Sequence, residues 1–287
     1  MDNNKIIIAS DSTCDLSADL IEKYSIKINP LFVVMNDVPY RDGIDVTPDD
    51  IYRYYKETGK LATTTASNMG NHIDFFTQFT DKGYKVIYFS LSSELSVSYN
   101  NARLAAEELE NVYTIDSRNL STGIGLQILY ACELAEQGVD CEEIVKKVKE
   151  YSECVDSSFV IENLEFLAKG GRCSSVAALG ANILKLRPCI EVKNGSLGVG
   201  KKFRGKMEDV LKEYVKSRLS NADNIQTNRI FVTHTDMDPK LVDLVIKTVN
   251  ETLKFDSVLH TSAGSTISVH CGPGTLGILF ARKNPIS

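Results

Sequence analysis

Several common signatures are missing from this chain. Its seven cysteines are an odd number, with no pair spaced as CxxC. That argues against a disulfide framework and fits a reducing, cytoplasmic setting. HExxH is absent as well, so no metal-binding set stands out. No GxGxxG or Walker-type glycine run occurs, so neither a dinucleotide site nor a P-loop is supported, and without GxSxG a serine-hydrolase elbow is weakly supported. No apolar run approaches the roughly 20 residues of a membrane span. The start Met1-Asp2-Asn3-Asn4 lacks the basic and apolar regions of a signal peptide. Basic residues are not in excess: the net charge is −6 and the pI about 5.4, which argues against nucleic acid as the main partner. There is no internal repeat, low-complexity tract or long linker.

With 287 residues, 43% of them hydrophobic and 24% charged, the chain fits one large or two medium soluble domains needing no covalent staple. At this length roughly 75% of the unfolded surface can be buried. Its first half alternates strand and helix. Strands are predicted at Lys5–Ser10, Ile28–Met35, Lys85–Ser90 and Val112–Ile115. Helices are predicted at Ser17–Tyr24, after Thr47-Pro48-Asp49-Asp50, at Ile73–Phe79, after Tyr99, at Ser121–Gln137 and at Cys141–Cys154. Such alternation implies a parallel sheet covered by helices. The pattern changes near Asp156. A strand at Ser157–Ile161 and a short helix at Leu164–Lys169 are followed by a helix reaching Leu186. Then come a hairpin at Asn194-Gly195, helices at Met207–Leu219 and Pro239–Leu253, and strands at Ile230–Thr233, Val258–Thr261 and on either side of His270.

The polar loops at strand ends carry the candidate chemistry. Asp11-Ser12-Thr13-Cys14-Asp15 follows the first strand, where open α/β sheets place ligands, although Asp and Ser there also serve as helix caps. Thr63-Thr64-Thr65-Ala66-Ser67 holds four hydroxyls in five residues, more than a cap requires. Leu91-Ser92-Ser93-Glu94-Leu95-Ser96 leads into a helix whose N-terminus favours an anion. Arg172, after Gly170-Gly171, either binds an anion or pairs with a surface acid. Lys201–Lys206 is either a solvated face or a docking site for a phosphate-bearing partner. His270-Cys271-Gly272-Pro273-Gly274 places a histidine at a rigid turn between two expected strands. His72 is expected to be exposed, and His234 and His260 to be strand residues without chemistry. Hydroxyls, helix N-termini, one arginine and one histidine suit a carboxylate or phosphate held by hydrogen bonds.

Taken together and in this order, these motifs resemble the DegV family, bacterial fatty-acid-binding subunits of the fatty acid kinase system. The resemblance rests on Asp11-Ser12-Thr13, Thr63–Ser67, Leu91–Ser96, Tyr113–Ser117, Leu164–Arg172, Phe203-Arg204-Gly205 and His270–Gly274, and covers nearly the whole chain. It implies an α/β fold of two domains, a parallel-sheet α/β/α domain (1–156) and a smaller α/β domain with a mixed sheet (157–287). A fatty acid would lie in the cleft between them. The carboxylate would be held by Thr63 or Thr64, by Ser96 and by His270, with Arg172 near the head, and Arg204 would serve phosphoryl transfer with a kinase subunit. The chain itself would be a carrier without enzyme activity, cofactor or metal, and a monomer in the cytoplasm touching the membrane at most transiently. A dihydroxyacetone-kinase-like partner would carry ATP and Mg²⁺ and make the acyl phosphate for phospholipid synthesis. Two departures concern the ligand: Ala66 where the family has proline, and Val97 where it has glycine, which would narrow the pocket. Rival readings are a stand-alone acyl hydrolase or transferase using Ser96 and His270, and a lipid or anion sensor without a kinase.

Overall fold

The computed structural model describes residues 5–177 and 186–286. The first strand, β1 (Ile6–Asp11), leads through a short 3-10 turn to α1 (Ala18–Lys23), where the Ser17 hydroxyl accepts the Leu20 N–H at 3.4 Å. The run 28–35, expected as one strand, is two: β2 (Lys27–Asn29) and β3 (Phe32–Met35). Pro30 lies between them and has no N–H to give a ladder. Asn36 and Asp37, both at positive φ, turn β3 back into β4 (Val38–Arg41). Next come α2 (Pro48–Thr58), opened by a Thr47–Asp50 capping box, and β5 (Thr63–Thr65). They are followed by α3 (Met69–Thr80), β6 (Lys85–Ser90), α4 (Ser98–Glu107), β7 (Val112–Asp116), α5 (Thr122–Glu136) and α6 (Cys141–Ser152).

The second half runs β8 (Val155–Ile161), α7 (Glu165–Gly170), α8 (Ser174–Ala177), β9 (Leu186–Lys193) and β10 (Ser196–Arg204). It continues through α9 (Met207–Arg218), β11 (Ile225–His234), α10 (Pro239–Thr252), β12 (Val258–Ser262), α11 (Ser265–Cys271) and β13 (Thr275–Arg282). The helix expected to reach Leu186 lies mostly outside the described residues, and Leu186 itself opens β9. β8 begins at Val155, so the expected boundary after Asp156 falls inside a strand.

The strands form three sheets among the described residues. One is parallel, in the order β2-β1-β6-β7. A second is mixed, in the order β10-β9-β8-β13-β11-β12, with only β11 and β12 parallel. The third is a small antiparallel sheet, β4-β3-β5. This is the α/β architecture of a parallel sheet plus a mixed sheet. Between the two large sheets lies α5, in which every residue from Thr122 to Leu129 is buried, as a largely apolar helix requires. Its Ile124, Leu126, Ile128 and Leu129 share one apolar cluster with Ile8, Ile87 and Ile115 of the parallel sheet and Phe159, Ile190 and Leu279 of the mixed sheet. Gly123 and Gly125 permit this approach: a Cβ on Gly123 would stand 2.4 Å from Ser157 Oγ, and one on Gly125 2.7 Å from Leu16 Cδ2.

Two expectations change here. Residues 265–271, expected as strand, form α11. Serine, threonine and valine there have weak helical preference, but the unpaired N–H groups of the first turn are claimed by distant carboxyl groups. Asp15 accepts the Gly264 N–H at 2.8 Å, and Asp42 accepts those of Ser265 and Thr266 at 2.9 and 3.2 Å. Val269 then packs beside Val33, Val46, Ile51 and Ala62. The second change is His72, which is fully buried rather than exposed. Asn29 Nδ2 lies 3.1 Å from its Nδ1, and its ring lies against Phe76 and Tyr88.

Candidate functional site

A cavity of about 440 Å³ lies where the two halves of the chain meet, within the range of small-molecule sites. Its apolar wall includes Leu31, Leu91, Leu120, Leu167, Leu197 and Ile267, drawn from both halves. Its polar groups are few: Thr64, Thr65, Ser93, Glu94, Ser96, Arg172, Thr266 and His270. At one point of this wall Thr64 Oγ1 and His270 Nε2 share a hydrogen bond of 2.9 Å.

Each group is placed by local structure. Pairing of β5 with β3 sets Thr64 opposite Val33. Successive strand residues face opposite ways, and Thr64 is half-buried while Thr63 is exposed. Ser96 lies just before α4, where its hydroxyl accepts the Ser98 N–H at 3.1 Å. His270 sits in the last turn of α11 with its Nδ1 over Gly170, on which a Cβ would stand only 2.6 Å away. Arg172 donates from Nη1 to the Gly170 carbonyl at 2.8 Å. Burial first, and the positive Arg172 second, push the His270 imidazolium down to about 4, so the ring is neutral at physiological pH. A neutral ring and hydroxyls offer hydrogen bonds, and Arg172 is the basic side chain in the lining.

Of the residues expected at the site, Thr64, Ser96, Arg172 and His270 all line this cavity. Thr63 does not; it lines a smaller adjoining cleft with Thr64, Arg172 and His270. Arg204 is exposed at the end of β10 and lines neither space. Val97 stands at the cavity wall with 66% of its surface exposed, at a φ of −75° that any residue adopts. It neither strains the backbone nor closes the cavity. Thr266 is the residue the sequence reading missed. Its buried Oγ1 has no hydrogen-bond partner, and it stands four residues before His270 on the same face of α11. That spacing is legible only once the segment is known to be helical. The Asp11–Asp15 loop is structural: Asp11 is buried and accepts the N–H groups of Thr13 and Leu91 at 3.1 and 2.8 Å. All seven cysteines are buried, and burial pushes the Cys271 thiol at the cavity wall up to about 12, which leaves no thiolate nucleophile there. Among the described residues no three His, Cys, Asp or Glu side chains gather as a metal site, and no helix is long and apolar enough to cross a membrane.

Fold and site together define an α/β protein with a parallel and a mixed sheet, in which loops, β5 and α11 line a largely apolar cavity with a polar station in its wall. The chain belongs to the DegV family, whose profile, described as an uncharacterised protein family, matches residues 5–283. A DegV domain-containing protein of Clostridium perfringens is 31% identical over 283 residues, covering 98% of this chain and 99% of that one. A protein of Thermotoga maritima named as a fatty acid-binding protein is 31% identical over 280 residues, covering 95% of this chain and 96% of its own length. Among solved structures, a stearic acid-binding protein of Eubacterium ventriosum superposes with a TM-score of 0.85 at 29% identity, covering 96% of this chain and 98% of that one.

Proposed function

We propose that the protein binds a long-chain fatty acid and presents its carboxylate to a partner kinase, which phosphorylates it to an acyl phosphate for phospholipid synthesis. The observation that carries the binding half is the cavity: an apolar wall with the Thr64–His270 pair, Ser96 and Arg172 among its polar groups. Relatives named for fatty acid binding support the same reading. An acyl chain of about 16 carbons, at ~0.8 kcal/mol per buried CH₂, offers on the order of 12 kcal/mol gross. A buried carboxylate costs several kcal/mol unless it is hydrogen-bonded or paired. The tail therefore supplies affinity, and the polar station keeps the head from cancelling it. The stand-alone hydrolase is disfavoured by one contact: His270 Nε2 bonds Thr64, while Ser96 Oγ accepts a backbone N–H, so no serine–histidine pair forms.

The kinase half rests on the family resemblance and on Arg204, which stands exposed on an edge strand where a partner can reach it. Denaturing extraction and mass spectrometry of copurifying small molecules tests the binding half. A near-stoichiometric fatty acid supports it, and an empty protein that also refuses added fatty acid removes it. Arg204→Ala should keep fatty acid affinity and lower acyl phosphate yield with the kinase by roughly tenfold, as loss of a charge-assisted contact implies; an undiminished yield would remove Arg204 from that role.

A further inference from the structure

Toward the carboxyl ends of the two parallel strands of the mixed sheet, two histidines face each other outside the cavity lining. β11 pairs with β12 so that Val232 stands opposite His260 and His234 opposite Ser262. His234 and His260 are therefore diagonal neighbours on one face of the sheet. It is the face on which Ile230 and Val232 share a cluster with Val242, Val245 and Val249 of α10. The two rings stack, with centroids 5.0 Å apart and planes 16° apart, and their Nε2 atoms are 2.8 Å from each other. His260 is exposed on the edge strand, and His234 is half-buried.

The hydrogen bonds fix which nitrogens carry protons. His234 Nδ1 lies against the Thr235 carbonyl, which can only accept. The proton of the neutral ring therefore sits on Nδ1, and the lone pair on Nε2 faces His260. In the neutral pair that lone pair accepts the Nε2–H of His260. A metal-ligating histidine is oriented in the same way, its second nitrogen donating to a backbone carbonyl or carboxylate. Moving the His260 proton from Nε2 to Nδ1 leaves two lone pairs converging on one point. Tetrahedral zinc, about 2.0–2.1 Å from each nitrogen, sets them about 3.4 Å apart, so the rings need to part by only about 0.6 Å. Asp243 of α10 adds negative charge that acts on His260 and favours a cation there. We infer that His234 and His260 form a two-histidine site for a divalent ion of the zinc class, which takes the place of the shared proton and clips β11 to β12. Imidazole ligands suit zinc, copper and nickel, whereas magnesium and calcium take oxygen ligands. Two protein ligands leave the remaining positions to water. The inference does not depend on what fills the main cavity.

The test titrates the full-length protein, stripped with a chelator, with zinc chloride and separately with magnesium chloride by calorimetry. A single Zn²⁺ should bind per chain and raise the thermal midpoint, and Mg²⁺ should do neither. His260→Ala should weaken zinc binding by about tenfold or more. Because His260 is exposed, that variant should keep the midpoint of the metal-free wild type and its affinity for palmitic acid. His260→Cys, which retains a zinc ligand, should restore the binding. Nitrogen NMR of the wild type should show zinc shifting the Nε2 resonances of both rings, a change that a purely structural histidine pair would not give. Absence of zinc binding up to about 1 mM, a free energy of only about −4 kcal/mol, overturns the site. So does zinc binding that His260→Ala leaves unchanged, or binding of Mg²⁺ as tight as that of Zn²⁺.

Discussion

Thr64 is the hydroxyl best placed to receive a carboxylate, because it lines the cavity and already bonds His270. Thr64→Ala should weaken fatty acid binding by roughly 10- to 50-fold, the usual effect of removing one partner of a buried polar contact. Thr63→Ala, one residue earlier and exposed, should change it by less than about threefold. Titration with a fluorescent fatty acid separates the two, and equal losses would count against the strand alternation that sets them apart. His72 and His270 give a second check. Burial holds both near a pKa of about 4, against an ordinary 6.5. As pH falls from 6.5 to 4 the unfolded chain takes protons that the folded chain refuses, so stability drops across that window and is unaffected above it. Each histidine contributes at most about 3 kcal/mol to the drop. Asp15, pushed up to about 8 by burial, acts in the opposite direction. The measurement is therefore the difference between urea unfolding of the wild type and of His72→Gln from pH 7 to 4. The variant should lose less stability than the wild type, and parallel profiles would refute a neutral buried His72.

At the scale of elements, the site depends on how α7 and α11 meet. The C-terminal residue of α7, Gly170, leaves room for the His270 ring on α11. Replacing a helical glycine by alanine is ordinarily favourable by roughly 0.5–1 kcal/mol. Here the added Cβ would stand 2.6 Å from His270 Nδ1 and push the ring away from Thr64. Gly170→Ala should therefore keep the fold, with a thermal midpoint within a few degrees, while fatty acid affinity falls about tenfold or more. A variant that binds as the wild type does would mean the ring has another place to go. At the other end of α11, the carboxyl groups of Asp15 and Asp42 accept the N–H groups of the first turn, so the helix that carries His270, Thr266 and Ile267 is anchored to the parallel-sheet half.

At the scale of the molecule, one apolar cluster around α5 draws residues from both halves, and such shared packing predicts cooperative unfolding. Calorimetric unfolding should give a single transition, shifted upward by fatty acid. A fragment of residues 1–156 expressed alone should lack a cooperative transition, because α5 would expose the side that meets Phe159 and Leu279. Two separate transitions, or a folded fragment, would show that the sheets stabilise themselves independently.

The elements set by short-range physics were legible from the residues: β6 at Lys85–Ser90, the capping box that opens α2, the Asn-Gly hairpin between β9 and β10, and the alternation that implied a parallel sheet. Thr64, Ser96, Arg172 and His270 sit in distinctive local motifs, but the residues alone left the role of each open, and only the resemblance of those motifs to a family grouped them at one site. What the tertiary structure alone decided involves partners far away in the chain. The segment before His270 is helix because Asp15 and Asp42, 249 and 223 residues distant, cap it. Thr266 joins the cavity because that segment is helix. Thr64 rather than Thr63 faces His270 because β5 pairs with β3 in one register. His72 is buried because α3 lays it against Asn29 and Tyr88. Periodicity and capping act over a few residues and are written in the sequence, whereas a register or a cap supplied across the fold exists only once the chain has closed on itself.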